Sequence, residues 1–275
     1  MKQPQARGVP IDARRIEGWL AEFTGFRENI IAYHINCWLA QFGDGDQDLA
    51  ARILDCIDFF ADARISKGLR EALKCLPGWH KDERKRSGRW AFVAFTGSAG
   101  ESGDSMLYEF RLANGLNARR YNPLFLHRRD LVALNPGPDD NVVFVDDFSG
   151  TGDTAVQYWN DYYRELLSGE PNVYLVLVAA STAAIRRVKD QTQFAIVTAT
   201  RLDDRDNVFS EHCRHFTDEE KNVLRNYCQR ADQELPLGYG NCGFVVVFAH
   251  RCPNNSIPIL HVKNNRWRGL FPRNR

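Results

Sequence analysis

The stretch Asn141-Val-Val-Phe-Val-Asp146-Asp147-Phe-Ser-Gly150-Thr151-Gly152-Asp153-Thr154 constrains this chain more than any other. Val142–Val145 is a continuous apolar run, which reads as a strand buried on both faces of a parallel sheet. Two acids stand at its carboxyl end, where open α/β sheets bind ligands. The next residues are small or hydroxylated and lead into a helix. Gly150 and Gly152 permit a tight turn and bring backbone N–H groups close to whatever sits above it.

The chemistry of this segment splits in two. The helix start supplies unpaired N–H groups and a partial positive charge, which suit a phosphate. Ser149, Thr151 and Thr154 add hydroxyl donors. Asp146 and Asp147 suit the opposite partner, either sugar hydroxyls or a magnesium ion. A strand ending in two acids and followed by a phosphate cup describes a site for a ribose 5-phosphate. An ordinary strand–loop–helix crossover with a solvated acid pair would use the same residue types.

Around this segment the apolar pattern is that of an α/β protein. Short apolar runs at Ala91–Phe95, Leu124–His127, Leu131–Leu134, Tyr174–Ala179 and Phe194–Thr198 read as strands. Helical stretches at Asp104–Asn114, Thr154–Leu167 and Thr182–Lys189 alternate with them, the pattern of a mostly parallel sheet covered on both faces. Before the sheet, Ile11 to about Trp79 shows apolar residues at helical spacing, and His80–Arg89 is a charged linker. After it come a helix near Asp218–Glu234, a strand at Phe244–Phe248 and an irregular, proline-bearing end. The expected organisation is a helical cap region over 1–89, an α/β core over 90–202 and a C-terminal extension packed on the core over 203–275.

The loop Thr96-Gly97-Ser98-Ala-Gly-Glu101-Ser102-Gly103 follows the first core strand and precedes a helix. It lacks the Gly-Lys-Ser/Thr of a P-loop. Its Gly100-Glu-Ser102-Gly-Asp104 fails the nucleophile-elbow pattern at the last position. Turn chemistry without a ligand remains open for it.

Val142–Thr154 resembles the type I phosphoribosyltransferase motif: four apolar residues, two acids, a few variable residues, then Thr-Gly-Gly-Thr or a variant. Thr151-Gly152-Asp153-Thr154 departs at the third place, where that family varies. The resemblance implies that Asp146 and Asp147 face the ribose hydroxyls. It implies that Ser149, Gly150, Thr151, Gly152, Asp153 and Thr154 hold the 5-phosphate. Thr96, Gly97 and Ser98 would form the pyrophosphate loop. Many members carry Lys or Arg in that loop, whereas here Glu101 would repel pyrophosphate unless magnesium intervened. Magnesium would arrive with phosphoribosyl pyrophosphate, and no metal ligand is assigned to the chain itself.

The tail, Pro236–Phe248, Pro253–Leu260 and Trp267–Arg273, looks like a bacterial conflict-system branch of the same superfamily. That branch comprises phosphoribosyltransferase-like domains predicted to act as effectors beside phage-defence genes, including retron systems. The resemblance implies base transfer or removal at the ribose C1 position. It also leaves open a catalytically inactive nucleotide-binding subunit of a defence complex, whose partner would be a protein or nucleoprotein.

Remaining features bound the setting. With a formal net charge of +1, no whole-chain field would hold the protein on nucleic acid or an anionic membrane. Arg128 with Arg129, and Arg186 with Arg187, are either surface residues or groups near an anionic ligand. The arginines of the tail, interleaved with Trp267 and Phe271, would stack on single-stranded nucleic acid, clamp a partner or close the core. His212-Cys213-Arg214-His215 matches no zinc spacing. Seven cysteines without a CxxC, no apolar leader and no run of 18 apolar residues point to buried thiols, a cytoplasmic setting and no membrane partner.

Overall fold

Hydrophobic runs with no polar interruption can only be satisfied by burial on both faces, and three of them here form the centre of one five-stranded parallel sheet. The structure is a computed structural model that describes residues 1–96 and 102–273. Along the chain come α1 (Ala13–Glu22), α2 (Ala32–Leu39), α3 (Gln47–Cys56), β1 (Asp58–Phe60), α4 (Asp62–Lys74), β2 (Trp90–Ala94), α5 (Ser102–Ala113), β3 (Phe125–Leu126), α6 (Leu131–Leu134), β4 (Asn141–Ser149), α7 (Asp153–Tyr158), α8 (Arg164–Leu166), β5 (Asn172–Ser181), α9 (Thr182–Gln191), β6 (Ala195–Leu202), α10 (Asp218–Ala231), β7 (Val246–Phe248) and α11 (Pro258–His261). A π-helical turn, Trp159–Tyr163, joins α7 to α8. Two compact units result, Arg64–Leu202 and the pair of segments Met1–Ala63 with Asp203–Arg275.

In Arg64–Leu202 the strand order is β3-β2-β4-β5-β6, and every pairing is parallel. Val142, Val143, Phe144 and Val145 of β4 are each 0% exposed. Burial of such side chains is worth about 1.5–3 kcal/mol apiece, so this strand anchors the sheet. Phe144 packs on Tyr163 and Phe194, with ring centroids 4.3 and 5.5 Å away. Ala155, Trp159 and Leu167 belong to the same cluster, so the helical run after β4 covers this face. On β2, Phe92 contacts Phe110 of α5 and Phe125 of β3 at 5.1 and 5.4 Å.

The run Leu131–Leu134, expected as a strand, is the helix α6. A short apolar run fits either state, and local turn chemistry decides it. The Asp130 carboxylate accepts from His127 N–H, and Asn135 closes the turn at φ 42° with its N–H bonded to Leu131 O. The expected helical region over 11–79 is also interrupted, by β1. Asp58–Phe60 pairs in parallel with Val246–Phe248, and the Phe60 and Phe248 rings stack at 4.6 Å. A partner so distant in sequence leaves no mark on local periodicity.

The other unit buries Trp19, Trp38, Ile53, Trp267 and Phe271 in one core. Both indole N–H groups, of Trp38 and Trp267, donate to Ile259 O at 2.8 and 2.9 Å. Trp267 and Phe271 therefore close this core and are not available for stacking on nucleic acid. The Arg15 guanidinium pairs with Asp55 at 2.7 Å, and Trp19 Nε1 donates to the same carboxylate at 2.9 Å. The turn at Pro253–Asn255 is structural, since Asn255 Nδ2 donates to Tyr239 O at 3.0 Å. All seven cysteines are free thiols, and Cys56, Cys213, Cys228 and Cys252 are buried. Among the described residues no helix is long and apolar enough to cross a membrane.

Candidate functional site

The sheet order reverses direction between β2 and β4: from β2 the chain crosses to β3 on one side, then returns to β4 on the other. A parallel sheet opens a crevice at the carboxyl ends of the two strands flanking such a reversal. Here those ends are Ala94–Thr96 on one side and Asp146–Thr154 on the other. Ala94 is in register with Val145, and Phe95 N–H donates to Val145 O at 3.0 Å. The described start of the first segment thus meets the acid-ended strand at one place.

Adjacent residues of a strand point to opposite faces. Asp146 is accordingly half-buried, while Asp147 is 0% exposed. Asp146 Oδ1 accepts from Ser102 Oγ at 2.6 Å and from Asp147 N–H at 2.9 Å. A carboxylate already bonded to a hydroxyl displays the chemistry a ribose hydroxyl would require. Ser102 was not assigned a role from sequence. Its position in the Ser/Gly-rich loop was the available signal, but nothing local says which acid it reaches. Gly103 makes the approach possible, because a Cβ there would fall 2.2 Å from Phe95 O.

The turn after β4 is fixed from below. Gly152 precedes α7 at φ +81°, and a Cβ there would sit 3.0 Å from Val188 Cγ2. Gly150 O accepts from the buried Ser181 Oγ at 2.5 Å, and the same Oγ accepts from Ala184 N–H at 2.9 Å. That one hydroxyl caps α9 and pins the turn. Thr151 Oγ1 donates to Asp153 Oδ2 at 2.8 Å, and Arg187 pairs with Asp153 Oδ1 at 2.7 Å. Arg187 is thus tied to this turn through Asp153, while Arg186 is exposed. Ser149 is the last residue of β4, and Thr154 lies in the first turn of α7. Among the described residues, the N–H groups of Thr151, Gly152, Thr154 and Ala155 donate to no backbone carbonyl; the first that does is Val156, to Gly152 O at 3.0 Å.

Across the crevice, Thr96 O accepts from Tyr163 Oη at 3.3 Å and from an Arg128 nitrogen at 3.4 Å. Burial pushes the Tyr163 hydroxyl above its ordinary pKa, which keeps it a donor. The Arg128 guanidinium lies over the Tyr162 ring at 4.5 Å. Arg128 therefore approaches this loop from outside it, which residue spacing did not reveal. Gly97, Ser98 and Glu101 lie outside the described residues, as does Arg275. Among the described residues no group of three or more His, Cys, Asp or Glu could hold a metal ion, the His212–His215 cluster included. The Asp146 carboxylate and Ser102 hydroxyl are hard oxygen donors, compatible with a magnesium ion that keeps most of its ligands from water and phosphate.

A family model described as PRTase-CE matches residues 35–273, almost the whole chain. No curated protein matches it.

Proposed function

Because this chain belongs to the PRTase-CE family of phosphoribosyltransferase-like proteins, we propose that its crevice between β2 and β4 binds phosphoribosyl pyrophosphate or a nucleotide and acts at the ribose C1 atom. The observation that carries this reading is the pairing of the amides of Thr151, Gly152, Thr154 and Ala155, which donate to no backbone carbonyl, with a hydroxyl-bonded carboxylate at Asp146. The 5-phosphate would take these amides and the Thr154 hydroxyl, with the Thr151 hydroxyl exchanging its bond to Asp153 for one to the phosphate. A ribose hydroxyl would donate to Asp146. Magnesium, carried in with the pyrophosphate, would neutralise charge on the leaving group.

The reaction is substitution at C1. A bond from C1 to the leaving oxygen or nitrogen breaks, its electron pair stays on the leaving group, and the incoming base, pyrophosphate or water forms the new bond. Such transition states are loose and cationic at C1, so positioning and electrostatics supply most of the acceleration. Held by its phosphate and its hydroxyls, the sugar would leave C1 for the open side of the crevice. The resemblance of the tail supports use as an antiviral-defence effector that transfers or removes bases.

The complete enclosure of Asp147 favours a second reading, in which the site binds a nucleotide without turnover and reports it to a partner protein or nucleoprotein. Calorimetry with ribose 5-phosphate and with phosphoribosyl pyrophosphate plus magnesium tests binding. Asp146→Asn should weaken both by tenfold or more, about the value of a hydrogen bond to a charged group. Unchanged affinity would remove the crevice from the proposal. Mass spectrometry of nucleotide pools after expression separates turnover from binding alone; identical pools for wild type and Asp146→Asn would favour the second reading.

A further inference from the structure

On the far side of β2 from that crevice lies a second cleft, of about 710 Å³, formed by the end of β2, helix α5, β3 and the turn after it. Its size falls within the range of small-molecule sites, about 300–1,000 Å³. Thr96 borders it, so the cleft adjoins the crevice along the end of β2.

The wall chemistry is specific. The described lining residues include three arginines, Arg111, Arg128 and Arg129, against one aspartate, Asp104. Two of the guanidinium groups are held on aromatic rings: Arg111 over Phe125 at 4.8 Å and Arg128 over Tyr162 at 4.5 Å. Arg111 Nε also donates to Leu116 O at 3.1 Å, so its head is fixed before any ligand arrives. Tyr108, an aromatic residue of the lining, is 61% exposed. A tyrosine so placed on an outer helical turn loses apolar contact that a stacked ring would restore.

We propose that this cleft is a second binding site, for an anionic aromatic ligand of the nucleoside monophosphate class. The ring stacks on Tyr108 and the phosphate takes Arg128 and Arg129. The cleft shares Thr96 and Arg128 with the β2 edge of the crevice, whereas Tyr108 and Arg129 belong to the cleft alone, so their loss reads on this site. Arginine suits the task because its planar fork meets phosphate oxygens two at a time.

The test is calorimetry on the full chain with adenosine 5′-monophosphate as the probe, titrated in the presence of saturating ribose 5-phosphate. The variant is Tyr108→Ala/Arg129→Ala. These side chains are largely exposed, Arg129 at 83%, so their loss removes no packing. One equivalent of the nucleotide should bind to wild type despite the ribose 5-phosphate. The variant should bind it about tenfold more weakly or worse, the size of one lost stacking contact plus a charge. Adenosine, which lacks the phosphate, should also bind about tenfold more weakly or worse, with the difference shrinking as salt is raised. Equal nucleotide affinity in wild type and variant would overturn the proposal. So would full exclusion of the nucleotide by ribose 5-phosphate, or no nucleotide binding at all. If ribose 5-phosphate itself fails to bind, the crevice reading is lost, while the comparison of wild type with variant still decides this one.

Discussion

Ser102 Oγ and Asp146 Oδ1, 2.6 Å apart, tie the start of α5 to the end of β4 across the position where the sheet reverses its order. This bond orients the one acid of the pair that is not enclosed. It fixes the start of α5 against β4 just before the turn proposed to take the phosphate, so these two sides of the crevice are set relative to each other by side-chain chemistry. Removing the hydroxyl should loosen the carboxylate without removing its charge. Ser102→Ala is therefore expected to weaken ribose 5-phosphate binding by about 2- to 10-fold, the net value of one hydrogen bond. Titration calorimetry of this variant beside Asp146→Asn gives the order of the two effects; a Ser102→Ala loss equal to that of Asp146→Asn would contradict an orienting role.

Gly103 is the condition for that contact. A methyl group there would lie 2.2 Å from Phe95 O and 2.9 Å from Phe95 N. Backbone atoms of a buried strand end cannot give way as a flexible side chain does. Gly103→Ala should destabilise the protein by about 1–3 kcal/mol through overpacking. Urea unfolding measures it, and a loss below about 0.5 kcal/mol would show that α5 shifts freely.

Ser181 serves two elements with one oxygen, as donor to Gly150 O and as the cap accepting Ala184 N–H. Ser181→Ala leaves both groups without that partner in a buried place. A loss of about 1–3 kcal/mol is expected from the cap and the orphaned carbonyl together. Ribose 5-phosphate should bind more weakly as well, because the turn loses its anchor. Full retention of ligand affinity alongside lost stability would assign Ser181 to the helix alone.

His261 gives the protein a defined acid sensitivity. Burial, with the nearby Arg273 charge adding to it, depresses its pKa from 6.5 to about 4. The folded state therefore holds this ring neutral, while the unfolded chain takes up a proton as pH falls below 6.5. The stabilising contribution is complete above pH 6.5 and is lost as pH falls through the window down to about 4. The loss should approach about 3 kcal/mol, at 1.36 kcal/mol per pKa unit. His261→Gln should flatten the stability profile between those limits; an unchanged profile in urea unfolding would assign the acid sensitivity to other groups.

How far each element was legible follows from the range of the forces that form it. The strand Val142–Val145, the acids that end it and the turn at Gly150–Gly152 are properties of consecutive residues. The strand at Tyr174–Ala179 and the helix at Thr182–Lys189 were readable for the same reason, lying within β5 and α9. Leu131–Leu134 was misread because four apolar residues carry no period, and the bonds of Asp130 and Asn135 around it chose the helix. Asp58–Phe60 sat inside a helical pattern and became a strand because β7 was there to pair with it.

By itself, the sequence determined a parallel α/β core and the chemistry of one strand–turn–helix, since side-chain alternation and glycine's backbone freedom act between neighbours. Only the tertiary structure decided that Phe95 N–H meets Val145 O beside the acid pair, that Ser102 binds Asp146, that Asp147 is sealed away and that Arg128 reaches Thr96 O from the turn after β3. Those outcomes depend on strand order and on contacts between residues tens of positions apart. Burial of apolar surface drives such contacts without regard to sequence distance, so no local pattern records them.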